Sequence, residues 1–297
     1  MSAKHPVIAV TGSSGAGTTT VKRAFEHIFL REQIKPVTIE GDSFHRYNRA
    51  EMRDMVKEAE VGGNKHFSHF GADANLFDKL EEMFKAYGEN GGGKKRYYLH
   101  SEEEAAEHNK RLGTSLKPGE FTPWEQIPAG TDMMFYEGLH GLVVHEKVNM
   151  AQYVDLGVGV VPIVNLEWIQ KIQRDNKERG YSPEVIVDTI LRRMPDYVNY
   201  ITPQFSFTDI NFQRVPTVDT SNPFIARDIP TPDESLVIIR FKRVDKWGID
   251  FPWLLNMIPH SFMSRRNTIV VPGGKMGYAM ELILTPIIHD MLAKRKK

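Results

Sequence analysis

The chain has 297 residues, 41% of them hydrophobic, enough to bury a large core as one big domain or two small ones. Its 38 lysines and arginines balance 38 aspartates and glutamates, so no net charge argues for nucleic acid or an anionic surface as partner. Cysteine is absent, which excludes disulfides and thiolate metal sites. No apolar run approaches the roughly 20 residues that span a bilayer, and MSAKHPVIAV shows no export signal. The expectation is a cytoplasmic protein that acts on small molecules, with neither nucleic acid nor membrane as partner.

The first predicted element is a strand at Val7 to Thr11, followed by a glycine-rich turn and a helix start. GxxxxG followed by hydroxyl residues is how a P-loop cradles phosphates. Its glycines let successive N–H groups point at an anion, and the helix adds its positive end. The cradle is Gly12, Ser13, Ser14, Gly15, Ala16, Gly17, Thr18, Thr19 and Thr20, with the Thr19 hydroxyl placed to reach Mg²⁺. Thr18 stands where the full pattern has lysine, so another cation is needed on the terminal phosphates.

A second strand, Val37 to Glu40, leads into GDSFHRYNRAEMR. Asp42 then sits at the carboxyl edge of the sheet as a candidate general base or metal-linked carboxylate. His45, Arg49 and Arg53 fall at spacings of four, which predicts one helical face suited to a substrate bearing its own phosphate. An insertion of mixed loops and helices follows, around 60–128. Met133 to Tyr136 is the next strand, and Glu137 at its end is placed like a Walker B acid that holds Mg²⁺ directly or through water.

Leu156 to Val161 is the fourth strand. The helix after it, Leu166 to Glu178, turns Leu166, Ile169 and Ile172 inward and sets Lys171, Arg174 and Asp175 on another face. Arg179 ends it, and a helix from Pro183 to Met194, capped by Ser182, carries Arg192 and Arg193. This basic hairpin, around 171–195, reads as a lid that brings the cation Thr18 lacks. Late strands at Leu236 to Phe241 and Thr268 to Val271 precede a closing helix, Lys275 to Lys294. The fold expected is α/β: a P-loop NTPase-type three-layer sandwich with a mostly parallel mixed sheet and helices on both faces, as one domain over 1–297.

GSSGAGTTT, EGDSFHRYNR, FYEGLHG, VPIVNLEWIQKIQRD, ILRR, PQFSFTDINFQRVPTVDTSNPF and VPGGKMG occur in this order. Together they resemble the bacterial phosphoribulokinases over essentially the whole chain, and those enzymes share the lysine-less P-loop. The resemblance implies an adenylate kinase-like core and transfer of the γ-phosphoryl of ATP to the 1-hydroxyl of ribulose 5-phosphate with Mg²⁺. It implies Asp42 as base, Glu137 as metal-linked acid, and His45, Arg49 and Arg174 on the sugar phosphate. Lys171 would approach the transferring phosphoryl, and Arg179 with Arg192 and Arg193 would serve the lid or an effector. Arg53 stands where relatives often carry another cation. Octamers, activation by NADH and inhibition by AMP are also implied, with Arg31, Arg240 and Arg265 as candidate effector or interface contacts. Two rivals are another small-molecule P-loop kinase of the uridine kinase kind and a silent adenine-nucleotide sensor. A GTPase is disfavoured because no NKxD motif occurs.

Overall fold

Val7–Thr11 forms β1, buried at every position. Alternate side chains leave opposite faces of a strand, so Ile8 and Val10 enter one core cluster while Val7 and Ala9 enter another. A strand apolar on both faces belongs inside a sheet that is covered on both. The computed structural model describes residues 4–13, 18–226 and 228–295, with side chains throughout except at 18, 19, 178 and 179.

The other strands of the main sheet are β2 (Pro36–Glu40), β3 (Met133–Gly138), β4 (Leu156–Val160), β5 (Ile210–Pro216), β6 (Ser235–Phe241), β7 (Phe262–Arg265) and β8 (Thr268–Pro272). Their order is β7-β8-β6-β5-β4-β1-β3-β2. Strands β2, β3, β1, β4 and β5 run parallel; β6 is antiparallel to β5 and β8, and β7 to β8. This is the mixed, mostly parallel sheet expected of a P-loop kinase.

Helices cover both faces. On one side α1 (Thr18–Arg31) and α8 (Met276–Arg295) pack Phe25, Ile28, Met280 and Ile283 against the strands. Arg31 ties these helices together, donating to Glu281 at 2.7 Å and Thr285 at 2.9 Å. On the other side α3 (Phe77–Asn90) buries Leu80, Phe84 and Tyr87. Helix α2 (Arg49–Val61) precedes α3, and α4 (Glu102–Leu112) follows it. Lys94 and Lys95 pair with Gln126 and Glu125, which closes the base of the α4 excursion.

Helices α5 (Val164–Arg179) and α6 (Pro183–Asp196) form a hairpin. Its own small cluster of Ile172, Ile186 and Ile190 packs with Trp168 and Val187. Gly180 ends α5 at φ 68°, a left-handed angle that suits glycine. Ser182 caps α6 with Pro183 in its first turn, as the sequence predicts. The remaining helix, α7, is Phe251–Met257. No described helix is long and apolar enough to cross a membrane.

Candidate active site

β1 has β3 on one side and β4 on the other, so the winding of the sheet reverses around the loop that follows β1. Open α/β sheets bind ligands at such points. The loop leaves the sheet at Gly12, whose N–H donates to the Gly138 carbonyl at 3.3 Å, and at buried Ser13. Ser14, Gly15, Ala16 and Gly17 lie outside the described residues, as do the side chains of Thr18 and Thr19. Thr20 is exposed at the start of α1.

Beside this loop, β2 ends at Glu40 and the chain turns tightly through Gly41–Phe44. A Cβ on Gly41 would lie 2.6 Å from the Tyr136 hydroxyl and 2.9 Å from Gly138 Cα, and one on Gly138 would lie 2.6 Å from Gly41 Cα. Two glycines are therefore needed for the ends of β2 and β3 to meet. Asp42, in this turn, keeps 42% of its side chain open and sets Oδ1 3.2 Å from His45 Nε2 and Oδ2 3.8 Å from His100 Nε2.

His45 is held from behind. Asn75 Nδ2 donates to the carbonyls of His69 (2.9 Å) and Gly71 (2.6 Å), which aims its Oδ1 at His45 Nδ1, 2.8 Å away. Both ring nitrogens of His45 thus face acceptors. Desolvation raises the Asp42 pKa, but the hydrogen bond from His45 and the charges of His45, His100 and His69 outweigh it and hold the carboxyl well below its usual range. His69 stacks on His45 at 4.2 Å. Burial, then the charges of His45 and Arg193, hold its pKa well below the ordinary value.

The expectation of one helical face carrying His45, Arg49 and Arg53 is corrected here. Asn48 caps α2, accepting from Ala50 N (2.9 Å) and Glu51 N (3.0 Å), while Glu51 accepts from Asn48 N (2.8 Å). This capping box starts the helix at Arg49, so His45 belongs to the turn before it. Arg49 and Arg53 are exposed on α2.

Glu137, at the end of β3, stands in register with Glu40 on β2 and Val10 on β1. Lys22, one turn into α1, bonds Glu40 at 2.6 Å. Burial lowers the Lys22 pKa, but Glu40 and the nearby Glu137 charge raise it further than that. Two carboxylates and a cation thus sit at the strand ends, on the side where Gly12 and Ser13 leave β1.

A third group comes from α5. Glu167, Lys171 and Asp175 follow one another at every fourth residue, and all are buried. The sequence assigns Lys171 and Asp175 to a face apart from the apolar one, which holds. Ser13 and Tyr197 meet this face at Glu167. Ser13 Oγ donates to Glu167 at 2.5 Å, the Tyr197 hydroxyl donates to Glu167 at 3.3 Å, and Lys171 donates to Asp175 at 2.5 Å. Arg174 also donates to Asp175, at 2.9 and 3.0 Å. Burial lowers the Lys171 ammonium to about 8, and the Arg193 cation adds to it against the pull of Asp175.

Burial pushes Glu167 up to about 7, against the hydrogen bonds from Ser13 and Tyr197. A raised carboxyl binds its proton more tightly in the folded protein. Its contribution to stability is therefore whole below its ordinary value of 4.5 and lost as pH rises through about 7. From about pH 4.5 to about pH 8 the loss is on the order of 3 kcal/mol. The Glu167→Gln variant lacks this dependence. Urea unfolding at both pH values should show the stability difference between the two proteins shifting by that order, and a difference that does not move with pH would contradict the assignment.

Comparison with known proteins follows the same lines. The model of the phosphoribulokinase/uridine kinase family matches residues 7–221, which hold all three groups. The phosphoribulokinase of Nitrobacter vulgaris is 62% identical over 294 residues, covering 99% of each chain. The plasmid phosphoribulokinase of Cupriavidus necator is 63% identical over 297 residues, covering 100% of this chain and 99% of its own. The chain belongs to the phosphoribulokinase/uridine kinase family. A solved phosphoribulokinase from Rhodobacter spheroides superposes with a TM-score of 0.89 at 53% identity, covering all of both chains. The protein is therefore an enzyme, a phosphotransferase with an alcohol acceptor.

Within this family kinase the other arginines divide. Arg192 turns outward to Asp188 (2.6 Å) and Glu60 (3.5 Å), whereas Arg193 reaches over Phe70 towards the α5 group. The Arg179 side chain lies outside those described. Arg240 and Arg265, both exposed, lie opposite Thr268 on either side of β8, and Arg31 ends α1. All three belong to the edge of the sheet away from Asp42 and Glu137. Sequence reasoning missed Glu167, His69, His100 and Arg96, which reach the site from elements far apart in the chain. Only the start of α2 had a readable signal, the Asn48–Glu51 capping pattern.

Proposed function

We propose that this enzyme transfers the γ-phosphoryl group of ATP to the 1-hydroxyl of D-ribulose 5-phosphate, giving ribulose 1,5-bisphosphate and ADP. The observation that carries the reading is Asp42, ionised and oriented by His45, beside the start of a phosphate-binding loop. The acceptor identity comes from the full-length relatives, which are named phosphoribulokinases. Asp42 takes the proton of the 1-hydroxyl as its oxygen bonds to the γ-phosphorus, and the bond from phosphorus to the ADP oxygen breaks. Positioning and charge do the rest, since phosphoryl transfer asks little covalent chemistry of the protein.

Lys171 and Arg174 stabilise the transferring group and supply the charge that Thr18 does not. His45, Arg49, Arg53, Arg174 and Arg179 take the 5-phosphate of the acceptor. Magnesium fits the strand ends: it needs one or two carboxylates beside phosphate oxygens and water, and Glu137 stands in register with Glu40 there. Glu137 and the Thr19 hydroxyl would hold the ion, and when bound it neutralises charge on the β- and γ-phosphates. The oxygens of Asp42 face His45 and His100, so we assign Asp42 to the acceptor rather than to the metal.

The same reading takes the chain as one domain, with 60–128 as its insertion and 171–195 as a lid, working in the cytoplasm. Octameric assembly, activation by NADH and inhibition by AMP complete it. Arg240 and Arg265 are its candidates for effector or subunit contacts, whereas Arg31 already bridges α1 to α8. The test is ADP release from Mg-ATP with and without ribulose 5-phosphate, repeated with uridine and with NADH. Release that requires ribulose 5-phosphate is expected. Release that requires uridine instead, or that follows neither acceptor in protein that still binds ATP, overturns the assignment.

A further inference from the structure

Arg96 lies just past the Lys94–Lys95 pairing of the 60–128 insertion, outside every motif used above. Its guanidinium lies 3.7 Å from the centre of the Phe121 ring and 4.7 Å from that of Trp124. Its hydrogen bonds go to main-chain carbonyls rather than to a carboxylate: Nε to Ser43 O at 2.8 Å and Nη2 to His45 O at 2.6 Å. Burial lowers its pKa to about 10, and Glu51 bears on it only through space. A half-buried cation spent on two carbonyls rather than on a carboxylate calls for a use of the geometry it sets.

The carbonyls in question flank Phe44, in the turn between Asp42 and His45. Phe44 O accepts from Leu76 N at 2.9 Å, so three successive carbonyls are tied. The Phe44 ring in turn meets Trp124 edge-on at 5.5 Å. The planar fork of an arginine fixes two acceptors relative to each other, which the single ammonium of a lysine cannot do. The start of α2 is gripped from the same side, Arg49 N donating to Gly119 O at 2.9 Å.

We propose that Arg96 is a positioning residue for the transfer: by bridging the Ser43 and His45 carbonyls it sets Asp42 and His45 against the acceptor hydroxyl. This gives the insertion a part in the reaction, and it rests on the reading of Asp42 as the base. Misplacing a reacting group by about 1 Å can cost about 10²-fold in rate.

The test is a kinetic cycle on the full chain with Mg-ATP and ribulose 5-phosphate, comparing Arg96→Lys, Arg96→Ala, Asp42→Asn and Arg96→Ala with Asp42→Asn. Both Arg96 variants should lose up to about 10²-fold in kcat while KM for ATP stays near that of the unaltered enzyme. Added guanidinium ion should restore part of the loss in Arg96→Ala and nothing in Asp42→Asn. In the Asp42→Asn background, loss of Arg96 should cost little more, because the group it positions is gone. Unimpaired kcat in Arg96→Ala, or an equal further loss in the Asp42→Asn background, overturns the proposal while leaving Asp42 as base. Full turnover in Asp42→Asn alone removes the base reading and this proposal with it. Should Arg96→Ala fold poorly, Arg96→Lys keeps the charge and the stem and decides the matter by itself.

Discussion

Replacing Asp42 with asparagine should leave a folded kinase whose turnover has fallen by ~10²–10⁴-fold, the range attributed to a general base. Asparagine keeps the shape of the side chain and an acceptor for His45, so the loss should appear in kcat while ATP binding survives. The pH dependence has a definite sign. Because the Asp42 carboxyl is held well below its usual range, it stays ionised through the acid side of neutrality. Any decline in activity towards about pH 5 must come from other groups, and the Asp42→Asn variant should keep the shape of that decline at a much lower level. Turnover near that of the unaltered enzyme would remove Asp42 from the chemistry.

The second large effect concerns Lys171. Its ammonium titrates near 8, so the charge is present below that value and disappears above it. If this cation faces the transferring phosphoryl, kcat should fall as pH rises through about 8. Lys171→Arg, whose charge persists, should carry the alkaline limb upward. Lys171→Met should cut kcat by ~10²–10³-fold, the scale for losing one preorganised electrostatic contact. It also takes one cation from buried Asp175, and breaking a buried pair costs ~3–5 kcal/mol. Its unfolding midpoint must therefore be read beside its turnover. An alkaline limb that is unmoved in Lys171→Arg would mean that the replacement charge comes from elsewhere, and Lys22 is then the next to test.

Much of this was legible in the sequence, for a physical reason. Strands β1 to β4, β6 and β8 are short apolar runs with polar or glycine borders, and a sheet covered on both faces demands that pattern. Strand β5 escaped because only Ile210 and Phe212 are buried in it, and the four-residue β7 is mostly exposed. The acids at the strand ends were visible because position in an α/β sheet is itself a functional signal. What brings His69, His100 and Arg96 to Asp42 is the path of the insertion, and contacts across dozens of residues leave no periodicity to read. Spacing misled in one place. Three cations four residues apart suggest a helical face, but the Asn48 cap begins the helix after His45. The burial of the α5 charges was hidden for a similar reason: it depends on residues from elsewhere in the chain, such as Ser13 and Tyr197, which bond Glu167.

The contact between Gly41 and Gly138 bears on how such an enzyme could be turned to a new acceptor. The gap between the Asp42 turn and the Glu137 strand end is set by backbone against backbone and by the Tyr136 hydroxyl, with no room for even a methyl group at either position. Neither glycine has a side chain to trim, and the Tyr136 hydroxyl lies within 2.8 Å of where either Cβ would stand. Latitude for new acceptors has to come from the walls contributed by the insertion and the α5–α6 hairpin. Variant libraries should be concentrated on those walls, with both glycines kept constant.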